Sequence, residues 1–481
     1  MTKMVRYILL IICLLIYIYN IQLQAIPIAA KTLLAVPGFI YFLTDKKGKV
    51  TYLKLQKYIK LFGVALLLFL WGLFTMVING SDEMLYLAYI KNFLLWFFEV
   101  YFICHLAKSI VSSFLDLCKI ITIVVAFESL LALCLKFNPS FAEIVSNIVE
   151  MKVYQVSFDN YMDTSDLADF SRIIGFGNAV YFGVLTSCTL GLISGAYVLY
   201  HSKSIFIYIV SYIIISIVSI MTARIAVVPV VLGLALVLFY HAKERNGHVI
   251  GTTILISLSA FVTIHLALTF LPDNMLEWQM ILFGNMTENS ESERLLKWLI
   301  NTKFEDKTLF IGDAHYKVGD FAYYKNVDIG FYRQIFYSGL IGLSIILYYN
   351  IMILKYIKKS DISDKSLGPY VAVLFICYLI SMFKGDINYV ELYLLVLMMF
   401  DFSIKKKMNI RILLLFNCEN SPKCSRSLPL SKNKGYWEMM HKLRSVMGLR
   451  DGKYTLNGVV ELDEGFFTCN EIGKTGKTRS I

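Results

Sequence analysis

The sequence predicts an all-α polytopic membrane protein with about twelve transmembrane helices and one large loop between the ninth and tenth. Three observations carry this. Of 481 residues, 57% are hydrophobic and 17% charged, against about 45–50% and about 25% in soluble domains. The apolar residues gather into runs of about the 20 residues that cross a bilayer as a helix. The cations gather in alternate connections between those runs. A mean hydropathy of +0.62, with 34 Phe and 31 Tyr, excludes a disordered chain and argues against an ordinary soluble enzyme, whose surface cannot carry so much apolar area.

In chain order, the runs 7–23 and 26–44 are parted only by a turn near Pro27, so they form two spans or one re-entrant hairpin. Residues 61–79, 86–106 and 110–134 are three further continuous runs. The more polar stretch 135–174 follows, then 175–199, 204–221, 225–241 and 249–271. A second polar stretch, 272–333, precedes the final runs 334–354, 369–383 and 388–404. Within it, 291–301 reads as a short helix, with Arg294 and Trp298 four apart on one face. A connection of this length is usually functional.

The net charge of +11, from 46 Lys and Arg against 35 Asp and Glu, would point to nucleic acid in a soluble protein. Here it fits loaded cytoplasmic loops. With the N-terminus inside, the cytoplasmic connections hold Lys46, Lys47, Lys49, Lys54, Lys57 and Lys60, then Lys108, Lys203, Lys243 and Arg245. They continue with Lys355, Lys358, Lys359 and Lys365, and end with Lys405, Lys406, Lys407 and Arg411. The short opposite connections offer little beyond Arg224 and Lys384. Both ends of the membrane body are therefore expected in the cytoplasm, with 135–174 and 272–333 outside.

Other signals are weak. Six of nine cysteines lie in apolar runs, no CxxC pair occurs, and the first run lacks a cleavage site and is expected to stay as an anchor. No P-loop, HExxH or Rossmann glycine set is present, so no cofactor or metal is expected. Asn285-Met286-Thr287 is a low-information glycosylation sequon. No internal repeat is visible, which argues mildly against a transporter built from repeats.

Charges at membrane depth or at its edge need a partner or a task. Arg172, Arg224, Arg294 and Arg333 all fall on the outer side of this topology. Guanidiniums keep their charge and bind oxyanions bidentately, so four around one vestibule suit phosphate or pyrophosphate, although a lone arginine there is more often an interfacial anchor. Arg224 departs from that rule, because a very short outer turn has little other reason to hold an arginine. Asp328 is placed to accept a proton or orient a hydroxyl, with Asp313, His315 and Asp320 nearby in sequence. His315 reads better as a solvated loop histidine. Glu128 and Glu391 could each pair with an arginine, and Lys91 and Glu99 share one span; buried ion pairs and substrate contacts weigh equally for all of these.

These features together resemble the O-antigen polymerase (Wzy-type) and O-antigen ligase superfamily, over roughly residues 1–410. Besides the spans and the late outer loop, three segments stand in family order. Arg172-Ile-Ile-Gly-Phe-Gly-Asn178, followed by Tyr181-Phe182-Gly183, is similar to the family's Arg-x-x-Gly-x-Phe-Gly-Asn element with local slippage. Thr222-Ala223-Arg224 stands where the family usually has Ser-Arg-Gly. The third segment runs from Arg294-x-x-x-Trp298 to Gly339-Leu-Ile-Gly342. The ligase branch carries a histidine eleven residues before its Gly-x-x-Gly; here that position is Asp328, which favours the polymerase branch.

The resemblance implies a multi-pass enzyme of the bacterial inner membrane, with the large loop periplasmic. It would transfer a growing glycan from undecaprenyl pyrophosphate onto a second lipid-linked oligosaccharide repeat unit. Arg224, Arg294 and Asp328 would be catalytic, and Arg172, Arg333, Trp298 and Asn178 would bind substrate. Arginines around the leaving pyrophosphate would stabilise its developing charge without a metal or cofactor. The implied partners are the lipid-linked oligosaccharide, the bilayer, a chain-length regulator and a flippase, and not nucleic acid. A ligase, or a transporter of lipid-linked sugars, is the alternative.

The segment 417–481 is polar and has no span. Its KLRSVMGLRDGKYTLNGVVELDE resembles the start of a DDE insertion-sequence transposase core, with Asp463 as the first metal-binding acid. The other two acids are absent and a two-metal site needs them, so no transposase activity is expected. Cys418 and Cys424 are two ligands, too few for zinc.

Overall fold

The computed structural model describes residues 3–26, 28–44, 52–149, 173, 175, 182–244, 304–318, 322–327, 329–361 and 364–404. The chain divides into two compact units, Met1–Lys405 and Lys406–Ile481; every described residue belongs to the first.

That unit is built of helices. They are α1 (Lys3–Tyr19), α2 (Ala30–Thr44), α3 (Tyr52–Asn79), α4 (Ala88–Ala107), α5 (Phe114–Phe137) and the short α6 (Pro139–Ser146). Next come α7 (Phe182–His201), α8 (Phe206–Thr222), a 3-10 turn at Arg224–Ala226, and α9 (Val227–Glu244). The third group is the single turn α10 (Asp306–Phe310), the two-residue strands β1 (Lys317–Val318) and β2 (Ala322–Tyr323), α11 (Gly330–Ser360), α12 (Leu367–Met382) and α13 (Val390–Met398). A wider π turn, Met399–Ser403, carries α13 on.

Eleven of the twelve apolar runs coincide with these helices, and the run 249–271 lies outside the described residues. Among the described residues, five helices are long and apolar enough to cross a membrane: α3 from Leu55, α4, α5, α7 from Gly183, and α11. Sequence and structure differ at α11, which begins at Gly330 rather than 334 and reaches Ser360. Arg333 therefore stands in its first turn rather than in the preceding loop. The expected long loop also holds order near α11, with α10 and an antiparallel β1–β2 pair in which Lys317 faces Tyr323.

The physics of the elements is local. Ser113 and Asp116 close a reciprocal capping box on α5, which satisfies two of the amides every helix start leaves open. Asn138 ends α5 and caps α6, with Pro139 at the first helical position. α7 is the hub, with Val184, Leu185, Cys188, Leu192 and Ile193 fully buried. It packs against α5, α8, α9 and α12. A helix that is apolar on every face has no side for water.

Helix directions separate two ends of the bundle. Cross-contacts Tyr197–Asp364, His201–Ser366 and Tyr240–Ser366 put the C-termini of α7 and α9 beside the start of α12. Ser403 reaches the carbonyl of Cys104 at the end of α4. Lys108, Lys203, Lys358, Lys359 and Lys365 follow from these directions as residues of that end. The opposite end gathers the α3–α4 connection, the α8–α9 turn, the start of α11 and the α12–α13 hairpin. It carries the candidate site.

Candidate functional site

At that end α11 starts without a side-chain cap: Ile329 precedes it and makes no cap hydrogen bond. Its first amides thus take no acceptor from the cap residue, and open amides at a helix start favour an anion. Arg333 lies in this first turn and is 8% exposed. Its guanidinium is held between two aromatic faces, 4.0 Å from the Tyr316 ring centroid and 3.8 Å from that of Tyr323. Each ring contributes cation–π attraction. Nε is buried without a hydrogen-bond partner, and among the described residues the guanidinium makes no ion pair. Two rings fix where the charge sits, and among the described residues no carboxylate is paired with it.

Asp386, from the hairpin between α12 and α13, stands within the field of Arg333 but forms no ion pair with it. Tyr316 donates its hydroxyl to Asp386 Oδ2 at 2.6 Å, and Gln334 Nε2 donates to the same oxygen at 2.5 Å. Both donors use Oδ2, so Oδ1 has no donor among the described residues. Burial pushes the Asp386 carboxyl above its ordinary range, against the opposing pull of Tyr316, Arg333 and Gln334. The network runs on: Tyr86 donates to Gln334 Oε1 at 2.5 Å and meets the Ser338 hydroxyl at 2.6 Å.

Two glycines make this approach possible. A Cβ on Gly330 would overlap the Gly385 carbonyl oxygen and crowd Asp386 Cα, so the bare backbone lets the Asp386 hairpin reach the start of α11. Gly339 has φ +66°, ψ −175° and interrupts the helical course of α11. A Cβ there would overlap the backbone of Phe310 and Ile311. The chain from α10 crosses α11 at this point, and Asp313 N–H donates to Phe336 O at 2.6 Å. The segment is then tied to α3 by Asn79→Gly312 O at 3.0 Å and Ser81→Ala314 O at 2.7 Å. Tyr316 and Tyr323 are delivered to Arg333 in this way.

The other expected residues fall as follows. Arg224 opens the 3-10 turn between α8 and α9, at the same end as Arg333; its side chain lies outside the described residues. Ile173 N–H donates to Met221 O at 3.2 Å, which sets Ile173 beside the end of α8. Arg172, Asn178, Arg294, Trp298, Asp320 and Asp328 themselves lie outside the described residues. Glu391 pairs with Lys31 at 3.0 Å rather than with an arginine. The reason is topological: α2 and α13 both pack on α4, which brings Lys31 to the start of α13. Lys91 is exposed and Glu99 is buried in α4, so these two form no pair; Glu99 instead lies in the field of Lys31 and Glu391. Glu128 is fully buried in α5.

Asp313 is saturated by Thr308, Tyr324 and Lys325. Glu83 takes the amides of Tyr316 and Lys317 and lies 3.7 Å from His315, whose side chain is 43% exposed. These groups therefore brace the segment. Sequence reasoning had no reason to single out Asp386, Gln334, Tyr316 or Tyr86. The only cue was one acid inside the short polar hairpin Lys384-Gly-Asp-Ile-Asn388. In comparison with known proteins, the sequence matches no family model, no curated protein and no solved structure.

Proposed function

We propose that the chain polymerises lipid-linked oligosaccharide repeat units into a surface polysaccharide. It would act as a multi-pass inner-membrane glycosyltransferase on undecaprenyl-pyrophosphate donors at the periplasmic face, with both ends of residues 1–410 in the cytoplasm. The single observation that carries this reading is Arg333: a buried guanidinium clamped by Tyr316 and Tyr323 at an uncapped helix start, with no carboxylate paired to it among the described residues. Such a site is suited to a diphosphate that gains charge as the glycosyl bond breaks. The gathering of Lys108, Lys203, Lys358, Lys359 and Lys365 at the other end supports the orientation, since cytoplasmic loops collect lysine and arginine.

In this reading Arg224 and Arg294 stabilise the leaving pyrophosphate with Arg333, and Asp328 lies beside the acceptor. Arg172, Asn178 and Trp298 hold the glycan chains. Residues 417–481 take no part in the reaction. Deletion of the gene followed by a surface-glycan gel tests the function. Loss of a polymerase leaves core plus one repeat unit. Loss of a ligase leaves bare core with lipid-linked polymer behind, and loss of a flippase leaves neither. Complementation with Arg224→Ala, Arg294→Ala or Arg333→Ala is expected to leave the single-repeat product although each protein inserts. Normal ladders from all three would refute the role given to these arginines.

A further inference from the structure

The polymerase reading needs a base, and its sequence candidate, Asp328, lies outside the described residues. The acceptor hydroxyl must lose a proton as it attacks, and a base for it needs a carboxylate oxygen free to take that proton. Asp313, Glu83, Glu391 and Asp386 differ in this respect. Asp313 is bonded through both oxygens, Oδ1 by Thr308 and Oδ2 by Tyr324 and Lys325. Glu83 is likewise engaged through both, by the amides of Tyr316 and Lys317. Glu391 is committed to Lys31. Asp386 alone among these is gripped on one side only: Tyr316 and Gln334 both hold Oδ2 and leave Oδ1 without a donor among the described residues.

We propose that Asp386 is a catalytic residue, whose Oδ1 takes the proton from the acceptor sugar hydroxyl while Arg333 holds the departing pyrophosphate; this rests on the polymerase reading. The acceptor O–H bond breaks and its proton passes to Asp386. The oxygen's electron pair forms the new bond to the anomeric carbon of the donor glycan. The anomeric carbon–oxygen bond to pyrophosphate breaks, and its pair leaves with the pyrophosphate. Atoms and charge balance without a further reactant.

The hairpin is placed for the task. Asp386 is partly exposed and follows the exposed Phe383 and Lys384, while Gly385 is buried against Gly330. The carboxylate is thus anchored by backbone contact at the start of α11. Two donors on one oxygen fix its orientation, as a base with a defined target requires. The charged and titratable groups facing it are Arg333 and Tyr316, with Tyr86, Tyr89 and Tyr378 behind. Arg333 opposes protonation and burial favours it, which allows a carboxyl to titrate closer to neutrality than an exposed one.

The test uses the full chain in lipid nanodiscs with undecaprenyl-pyrophosphate-linked oligosaccharide, following polymer length. Asp386→Asn is expected to lower turnover about 100-fold or more, the usual range for loss of a general base, with KM for the lipid-linked donor nearly unchanged. Asp386→Ala is expected to regain part of its rate with added formate, and the acid limb of the wild-type pH profile should be absent in Asp386→Asn. Arg333→Ala should also lower turnover, since it holds the departing pyrophosphate, but its residual activity should keep the acid limb that Asp386→Asn loses. Asp386→Asn turnover within about fivefold of wild type would overturn the proposal, as would a loss confined to Asp328→Asn. A wild-type protein that extends no chain would overturn the polymerase reading and the base with it. Active wild type with active Asp386→Asn removes the base alone.

Discussion

Replacing Gly339 by alanine tests whether α11 is built around the crossing segment from α10. Two costs follow from the structure. Gly339 occupies φ +66°, ψ −175°, a region open essentially only to glycine, and an L-residue held there costs about 1–3 kcal/mol. The new methyl would also overlap the Phe310 carbonyl and the Ile311 amide. These are backbone atoms, so no rotamer change relieves the contact and the segment must retreat. Retreat endangers Asp313 N–H→Phe336 O, Ala314 N–H→Tyr337 O at 3.1 Å and the two ties to α3. Losing two such bonds at about 1 kcal/mol each brings the expected cost to about 3–5 kcal/mol. Gly63 in α3 is the control, because a Cβ there meets nothing within 4 Å. Gly63→Ala should be neutral, or stabilising by up to about 1 kcal/mol through helix propensity. Thermal unfolding of the purified protein gives the stability, and tryptic cleavage at Lys307, Lys317 and Lys325 reports release of the segment. If Gly339→Ala unfolds with Gly63→Ala and resists trypsin equally, the crossing contact does not hold α11 as described.

The remaining predictions concern charge. Asp386 has its carboxyl pKa raised in the fold, so the folded state favours the protonated form. That stability is fully present below the unfolded value of about 4 and is lost as pH rises through the folded value. Asp386→Asn should therefore unfold at a higher temperature than wild type at neutral pH, with the gap closing toward pH 4; a gap that is constant or reversed with pH counts against the burial argument. Lys31 and Glu391 have side chains 17% and 21% exposed. Lys31→Met should destabilise by about 1–3 kcal/mol, because it strands Glu391 next to Glu99 in a place poor in water. The double variant Lys31→Met, Glu391→Gln should cost less than the sum of the two singles. Strict additivity in chemical denaturation would show that the pair does not interact.

The parts legible in the sequence are those set by local chemistry. Apolar runs of about 20 residues predict helices wherever they occur, and eleven of the twelve runs do contain one. The boundary at α11 slipped because Gly330 and Arg333 read as loop when the packing of Gly330 on Gly385 is unknown. Arg333 was legible as a candidate because a guanidinium beside a membrane span is costly and rare. Its clamp was not, since Tyr316 and Tyr323 are two aromatics among many. Asp386 was invisible for the same reason: one acid in a polar hairpin carries no periodicity and no spacing signal.

What the sequence determined by itself, then, is the solvent each stretch prefers: apolar helices, a lysine-rich set of connections, and arginines left where a bilayer charges for them. Only the tertiary structure decided which of the scattered polar groups act together. Tyr86 lies 248 residues from Gln334, and Tyr316 lies 70 from Asp386. Their meeting depends on helix packing and on two bare glycine backbones. Hydropathy records the cost of burying a residue but nothing about its neighbour, and a site is made of neighbours.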